Sequence, residues 1–253
     1  MSSDTEVNSS TTIGSKPSSS MPLASKVIVA LDYDSAAEAN QFVGSVSPEL
    51  CKLKVGKELF TLAGPKFVQG LVNSGFDVFL DLKFHDIPNT VSSAVKVAAD
   101  LGVWMTDVHA SGGRRMMEGA RNLLEQSNSE MLLIAVTVLT SLDQNDMDEL
   151  GYNCSPEQQV HRLAALAKSS GMDGVVTSAL EARGLRQTLG DKFILVTPGI
   201  RPASALGDDQ RRVVTPVQAM ANGSNYLVIG RPITQSGNPV STLLAINQEI
   251  SQD

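Results

Sequence analysis

Residues 75–90 read GFDVFLDLKFHDIPNT, and the pattern of this stretch decides which fold is expected. Its first half is an apolar run that is typical of a buried β-strand. Side chains alternate along a strand, so Asp81 and Lys83 are predicted to leave it on one face, with Asp86 just past its end. Pro88 stops the extended run and can begin a helix at its first position. The stretch therefore predicts a strand-to-helix unit in which two carboxylates flank one ammonium.

A group of charges at the end of an apolar strand has two interpretations. It can be a surface ion pair, which is common and contributes little stability. It can also belong to a functional site, because charges beside an apolar strand are costly to arrange for packing alone. The choice depends on whether other strands end in ionisable residues as well.

The same strand-to-helix pattern recurs along the chain from Lys26 onward. Eight apolar segments that are typical of strands alternate with eight helix-like segments over about 225 residues. Such alternation predicts a parallel sheet with helices outside it, and eight units of this size indicate a single-domain (β/α)8 TIM barrel of the α/β class. A doubly wound open sheet is the alternative, but no GxGxxG motif follows the first strand. The last helix is predicted to begin at Pro232 and to run to Ile250.

The composition is that of an ordinary globular protein, with 253 residues of which 42% are hydrophobic and 19% charged. A net charge of −7 argues against binding to nucleic acid, and no stretch approaches membrane-spanning length. The two cysteines are far apart, so neither a disulfide framework nor a zinc site is expected, and a reducing cytoplasm fits best. Residues 1–25, twelve of which are Ser or Thr, are expected to be a disordered extension, with the barrel in residues 26–253.

Ionisable residues follow three successive predicted strands, where the active-site groups of such barrels lie. Asp32 ends the first strand, Lys54 lies near the end of the second, and Asp81 with Lys83 ends the third. Because these groups would meet at one mouth of the barrel, a functional site is favoured over a surface ion pair. His109 ends the fourth strand and can also face the mouth, although a lone histidine is as often a structural residue.

The last two units of the barrel carry a signal for anion binding. Strand eight ends in Gly230, Arg231 and Pro232, where glycine admits an anion to the backbone and arginine offers a forked donor. Barrels often bind phosphate after strands seven and eight. The polar segment at residues 197–212, which includes Arg201, has the length and the glycines of a lid. A phosphate site is expected here, although the same residues also suit an ordinary turn.

These residues together resemble the orotidine 5′-monophosphate decarboxylase family of the bacterial type. The motifs occur in the family's order from the start of the first strand to the C-terminus. The Asp-x-Lys-x-x-Asp motif is shared with a wider barrel superfamily, whereas the Ile-Pro-Asn-Thr that continues it is more specific. The matching residues are Asp32, Lys54, the run at 81–90, Thr-Pro-Gly-Ile-Arg at 197–201 and Ile-Gly-Arg-Pro-Ile at 229–233.

The resemblance implies a reaction, namely decarboxylation of orotidine 5′-phosphate to UMP and CO2 in pyrimidine synthesis, with neither a cofactor nor a metal. It implies that Lys83 stabilises a carbanion at C6 of the substrate and then protonates it. Asp81 and Asp86 would keep Lys83 charged and oriented. It also implies a homodimer with shared active sites, in which Asp86, Ile87 and Thr90 reach the neighbouring subunit's site.

The resemblance further implies which residues bind the substrate. Asp32 and Lys54 would hold the ribose hydroxyls, and Lys54 would also complete the catalytic charge network. Thr140, after the fifth strand, would contact the base or the ribose. The phosphate would be bound by Gln210, Gly230 and Arg231, with the substrate contact of Arg201 at the entry to the lid.

Two alternatives stay open at this point. A 3-keto-L-gulonate 6-phosphate decarboxylase of the same superfamily uses Mg²⁺ and is expected to need an acidic ligand at the end of strand two, where this chain has Lys54. A catalytically silent barrel that binds a phosphorylated metabolite is the other, and it would not need the charge array around Lys83.

Overall fold

The protein is described by a computed structural model that covers residues 25–202 and 214–251, and these contain a closed barrel of eight parallel strands. Each strand pairs with the next, and the last pairs with the first, in the register Val29 to Ile229. The closure confirms the predicted (β/α)8 fold and excludes an open sheet. The strands are β1 (Val27–Ala30), β2 (Lys52–Gly56), β3 (Val78–Phe84), β4 (Met105–His109), β5 (Leu132–Val136), β6 (Gly174–Val176), β7 (Ile194–Thr197) and β8 (Tyr226–Ile229).

Helices connect the strands around the outside of the barrel. Two of them begin at a Ser-Pro or Thr-Pro pair, in which the Ser155 or Thr215 hydroxyl accepts a hydrogen bond from a backbone N–H of the first turn. No helix within the described ranges is long and apolar enough to cross a membrane. The helices are α1 (Ala36–Val43), α2 (Lys57–Asn73), α3 (Pro88–Asp100), α4 (Arg114–Gln126), α5 (Gln144–Glu149), α6 (Pro156–Ser169), α7 (Ala182–Leu189), α8 (Pro216–Ala221), α9 (Arg231–Thr234) and α10 (Pro239–Ser251).

Hydrophobic clusters cover both faces of the sheet. The outer cluster packs strand residues such as Val29 and Leu80 against the helices. Because alternate residues of a strand share a face, a residue two positions beyond an inner-cluster member also faces the interior, closer to the C-terminal mouth. This rule places Asp81 and Asp107 inside the barrel, above Phe79 and Met105. The inner cluster consists of Ile28, Ala30, Phe79, Met105, Ile134, Val196 and Val228.

The C-terminal segment is divided, and the prediction of one closing helix over residues 232–250 was wrong. Helix α9 ends at Thr234, and α10 begins at Pro239. The sequence between them ends in Gly-Asn-Pro, which favours a turn, and the Asn238 side chain accepts a hydrogen bond from the Ser241 N–H. The apolar periodicity continues across this turn, which is why it suggested a single helix.

Ser25 belongs to the barrel, although the sequence pattern placed it in the N-terminal extension. Its side chain is buried, and its Oγ donates to Asn247 Oδ1 at 2.9 Å and accepts from the Val27 N–H at 3.1 Å. Asn247 in turn donates from Nδ2 to the Leu50 carbonyl at 2.8 Å. Ser25 thereby joins the start of β1 to α10 and to the loop before β2.

Candidate active site

Five ionisable side chains form an alternating chain at the C-terminal mouth of the barrel. Lys54 Nζ lies 3.4 Å from Asp32 Oδ1 and 3.2 Å from Asp81 Oδ2. Lys83 Nζ contacts Asp81 Oδ1 and lies 4.0 Å from Asp107 Oδ2. The order is therefore acid, base, acid, base, acid. The structure brings together the four residues that the strand ends predicted, and it adds Asp107.

Burial makes these charges depend on one another. Burial opposes ionisation of Asp81, but the Lys54 ammonium, a hydrogen bond from Asp107 and the Lys83 ammonium outweigh it and lower the Asp81 pKa to about 2. Burial likewise disfavours the Lys54 ammonium, yet the carboxylates of Asp81 and Asp32 raise the Lys54 pKa. At neutral pH this part of the site therefore holds an ionised carboxylate between two ammonium groups.

Asp107 behaves differently from the other acids. It lies in the middle of β4 and is completely buried. Burial, and next the neighbouring Asp81 carboxylate, raise its pKa well above the usual value for an aspartate. Asp107 was not among the predicted site residues, because those were chosen near the ends of the predicted strands. An acid inside an apolar strand, two positions before His109, was the available signal.

The backbone at Lys83 is not that of a regular strand. Its φ is 51°, in the left-handed region that non-glycine residues rarely adopt, and the pairing of β3 with β4 shifts register between Leu80 and Phe84. The Lys83 N–H donates to Asp107 Oδ1 at 2.7 Å. Asp81 and Lys83 do meet, as predicted, but by way of a strained bend rather than by simple alternation. Strain of this kind costs about 1–3 kcal/mol and is concentrated at functional sites.

A cavity of about 310 Å³ opens above the charged chain. Its floor includes Lys54, Asp81 and Lys83, and Thr140 lines one side, where the sequence predicted a substrate contact. A volume of this size suits a small molecule such as a nucleotide. The remaining walls combine apolar side chains with a group near the ends of β7 and β8, namely Pro198, Gly199, Arg201, Gly230 and Arg231.

The wall near β7 and β8 is rich in cationic donors. Arg201 is buried, and its Nε has no hydrogen-bond partner among the described residues, although Nη1 donates to the Ile200 carbonyl at 3.2 Å. Arg231 lines the same wall. A Cβ on Gly230 would lie 3.3 Å from Asp32 Oδ2, so a glycine keeps this approach open. These donors suit an anion, and the phosphate site stays a prediction. Gln210, the other predicted phosphate ligand, lies outside the described residues.

Asp86, Ile87 and Thr90 lie away from this cavity in their own chain. All three are exposed, and the Asp86 carboxylate accepts a hydrogen bond from the Ile87 N–H at 2.6 Å. Among the ion pairs of residues 25–202 and 214–251, none joins Asp86 to Lys83. Within one chain, the two acids beside Lys83 are therefore Asp81 and Asp107, and the expected role of Asp86 in a neighbouring subunit's site stays a prediction.

The donor set of the mouth suits anions and ion pairs better than a metal. Among the described residues, no group of three or more His, Cys, Asp or Glu side chains is placed to hold a metal ion. The two acids of the charged chain that line the cavity, Asp32 and Asp81, are both engaged by Lys54. The end of β2 thus presents an ammonium where a Mg²⁺ site would need an acid.

Comparisons with known proteins agree with this geometry. Residues 25–246 match the model of the orotidine 5′-phosphate decarboxylase / HUMPS family. An orotidine 5′-phosphate decarboxylase of Psychromonas ingrahamii is 62% identical over 226 residues, which are 89% of this chain and 97% of that protein. One of Hahella chejuensis is 59% identical over 225 residues, with 89% and 97% covered. The crystal structure of orotidine 5′-phosphate decarboxylase from Lactobacillus acidophilus aligns with a TM-score of 0.78 at 41% identity, covering 88% of this chain and 98% of that one.

Proposed function

The chain belongs to the orotidine 5′-phosphate decarboxylase / HUMPS family, and we propose that it converts orotidine 5′-phosphate to UMP and CO2. The relatives that are about 60% identical over most of the chain carry the name of this activity. The observation that carries the proposal is the alternating charge chain at the cavity floor, which includes Lys54 of β2. This arrangement fits a decarboxylation that is driven by fixed charges.

The chemistry requires electrostatic stabilisation. When the bond between C6 and the carboxylate breaks, its electron pair stays in an orbital in the plane of the pyrimidine ring, where the ring's π system cannot absorb it. The ammonium of Lys83, held in place by its carboxylate neighbour, stabilises this pair. A proton from the same ammonium then forms the new C6–H bond, and Lys83 regains its proton from solvent. CO2 leaves, so atoms and charge balance without a cofactor.

The neighbouring residues hold Lys83 and the substrate in place. Asp81 is kept ionised by two ammonium groups and fixes the position of Lys83 Nζ. Lys54 and Asp32 bind the ribose hydroxyls, and Thr140 contacts the base or the ribose. The support for these assignments is that Lys54, Asp32 and Thr140 all line one cavity. The remaining cavity wall supplies donors for the phosphate: Arg201, Gly230 and Arg231, together with Gln210 from the sequence pattern.

One assay tests the activity against both alternatives. Purified protein is treated with EDTA, and the absorbance of orotidine 5′-phosphate is followed after its addition. We expect the substrate to be consumed at the same rate with and without added Mg²⁺. Activity that disappears on chelation and returns with Mg²⁺ would favour the metal-dependent relatives. Tight binding of the nucleotide without turnover would indicate a silent binding barrel.

We also propose that the protein is a homodimer whose subunits share their active sites. Asp86, Ile87 and Thr90 lie at the start of α3, outside their own cavity, and Ile87 is 66% exposed. An exposed apolar side chain beside an exposed carboxylate suits a contact with a second copy of the chain. In the dimer, Asp86 of each chain supplies a carboxylate to the site that holds the other chain's Lys83.

Mixing two inactive variants tests the shared site. After subunit exchange between Lys83→Ala and Asp86→Ala proteins, half of a random mixture is heterodimer. Each heterodimer has one site with both substitutions and one with neither. Activity should return to roughly a quarter of the wild-type level, because about one site in four is intact. Proven exchange without recovery would show that Asp86 acts within its own chain.

The proposed domain division follows from the same observations. We place the decarboxylase domain in residues 26–253, with Ser25 as an additional barrel contact, and we treat the preceding residues as an extension. A cytoplasmic location is proposed because Cys51 and Cys154 are both free, and burial raises the pKa of the Cys51 thiol to about 12. Fractionation of cells that express the tagged protein would test the location, and recovery outside the cytoplasmic fraction would contradict it.

A further inference from the structure

We propose that Asp107 is a positioning residue that fixes both Lys83 and Asp81 for the reaction proposed above, on which this inference rests. Asp107 is fully buried in β4 and is not among the residues that line the cavity, so it acts on the substrate only through its neighbours. Each of its carboxyl oxygens has a separate task.

Oδ1 of Asp107 holds the backbone of Lys83. It accepts a hydrogen bond from the Lys83 N–H at 2.7 Å, at the residue whose φ is 51°. At this point the regular pairing between β3 and β4 is interrupted, so the N–H needs an acceptor other than the neighbouring strand. The bond stabilises a backbone conformation that L-residues rarely adopt and that directs the Lys83 side chain towards Asp81.

Oδ2 of Asp107 faces the charged end of the same network. It lies 4.0 Å from Lys83 Nζ, and it receives no hydrogen bond from the described residues. After burial, the nearby Asp81 carboxylate is the main cause that raises the pKa of Asp107, so the two carboxyl groups are neighbours in the network. Two adjacent buried carboxylates would repel, so one of them must carry a proton.

The proton belongs on Asp107. Asp81 has the ammonium groups of Lys54 and Lys83 beside it, whereas Asp107 has Lys83 alone, at 4.0 Å, and is completely buried. As a neutral acid, Asp107 accepts from the Lys83 N–H through Oδ1 and donates from Oδ2 to Asp81. It thereby orients the Asp81 carboxylate without adding a second negative charge to the site.

This assignment makes a definite prediction about substitution. An asparagine has a carbonyl oxygen that can accept from the Lys83 N–H and an amide N–H that can donate to Asp81. It reproduces the neutral acid in shape and in hydrogen bonding. Asp107→Asn should therefore retain kcat within about tenfold of wild type, whereas Asp107→Ala should lower kcat by about 100-fold or more with little change in KM.

The matched control is Thr106→Val, in the adjacent residue of the same strand. Thr106 is also fully buried, and its Oγ1 donates one hydrogen bond, to the Leu80 carbonyl at 2.9 Å. Its side chain leaves the strand on the opposite face. We expect this variant to lose some thermal stability and to keep kcat within about twofold of wild type, which separates positioning from general stability.

The experiment measures kcat, KM and thermal stability for wild type and the three variants. A folded Asp107→Ala protein with near-wild-type kcat would overturn the proposal. A folded Asp107→Asn protein that loses more than about tenfold in kcat would also overturn it, and this arm decides the question even if the alanine variant fails to fold. If the wild type itself does not consume orotidine 5′-phosphate, the proposed function fails and the inference fails with it.

Discussion

The two ends of the barrel can be compared through two lysines of β2. Lys52 and Lys54 are two residues apart, both are buried, and both side chains point into the barrel. Lys52 lies at the N-terminal end, where it pairs with Asp77 and stands 4.6 Å above the Trp104 ring and 5.8 Å from that of Tyr226. Lys54 lies at the C-terminal mouth, within the alternating chain of acids and bases.

The surroundings, rather than burial or charge, distinguish the two lysines. The ammonium of Lys52 contacts two aromatic rings and is neutralised by one half-exposed carboxylate, so it fills the N-terminal end of the barrel. The ammonium of Lys54 shares Asp81 with Lys83 and borders a cavity of about 310 Å³. A buried lysine thus indicates a functional role when it shares its acidic partner with another base and borders space for a ligand. It indicates a structural role when both of these features are absent.

The largest expected effect is that of Lys83→Ala at the open end. In the proposed mechanism, this substitution removes both the charge near C6 and the proton donor. We expect kcat to fall by at least about 10⁴-fold while the circular dichroism spectrum stays that of the wild type. A variant that retained a tenth of the wild-type kcat would contradict the assignment of Lys83.

The next largest effect comes from comparing the activities of Lys54→Met and Lys52→Met. Methionine keeps the apolar stem of either lysine and removes its charge. At the mouth, Lys54→Met should lower kcat/KM by about 10²–10³-fold, because Asp81 and the bound ribose lose their shared partner. At the N-terminal end of the barrel, Lys52→Met should keep kcat/KM within about threefold of wild type.

At the N-terminal end of the barrel, the substitution should lower stability and leave activity nearly unchanged. Lys52→Met loses the ion pair with Asp77 and the cation–π contact with Trp104, which together correspond to about 1–2 kcal/mol in the free energy of unfolding. Denaturant titration of both methionine variants measures this. If Lys52→Met impaired catalysis as much as Lys54→Met, the functional distinction between the two ends would be wrong.

The sequence predicted the C-terminal mouth of the barrel better than its N-terminal end. Strand alternation and the acids and lysines at strand ends were enough to predict the barrel, and to place Asp32, Lys54, Asp81 and Lys83 at one mouth. These features are local, because each depends on a residue's position within its own strand. Lys52 has the same local pattern as Lys54, and only the tertiary contacts with its aromatic neighbours separate their roles.

Other features were beyond the reach of a pattern. The left-handed backbone at Lys83 depends on an acceptor from a different strand, Asp107, and no propensity encodes that pairing. Asp107 itself was hidden inside an apolar run, where a strand residue was expected. Whether Asp86 serves its own site or its partner's depends on a second chain.

A smaller effect is expected from acid at the open end, through His109. Burial lowers the pKa of His109 to about 4 from 6.5, helped by His85, Lys57 and Lys83 and opposed by Asp81. The unfolded chain therefore binds a proton that the folded chain does not, so stability falls as the pH drops from 6.5 to 4. Asp81, whose pKa is lowered to about 2, loses its stabilising contribution only in a lower window, below 3.8.

Replacing His109 by asparagine should flatten the upper window. Because His109 is partly exposed, the difference between variant and wild type should change by only about 1 kcal/mol across that range. Urea unfolding at several pH values measures it, with His161→Asn on α6 as the control. Parallel curves for wild type and His109→Asn would show that His109 is not the group responsible.

The smallest effect is expected from the residues that precede the barrel in the sequence. The family match begins at residue 25, and the relatives are covered over 97% of their length while 89% of this chain is used. Deletion of residues 1–24 should therefore leave the melting temperature and kcat unchanged within error. A fall of several degrees would show that these residues stabilise the barrel.

Ser25→Ala, at the residue next to that deletion, should have a measurable effect on stability. Its hydroxyl joins the Val27 N–H to Asn247, so its loss leaves a buried N–H without its partner and should cost about 1 kcal/mol of stability. Activity should not change, because these contacts lie at the end of the barrel opposite the cavity. Thermal unfolding and kcat of the deletion and of Ser25→Ala, measured together, locate the boundary of the folded domain. If the deletion destabilised the protein more than Ser25→Ala does, that boundary would have to lie before residue 25.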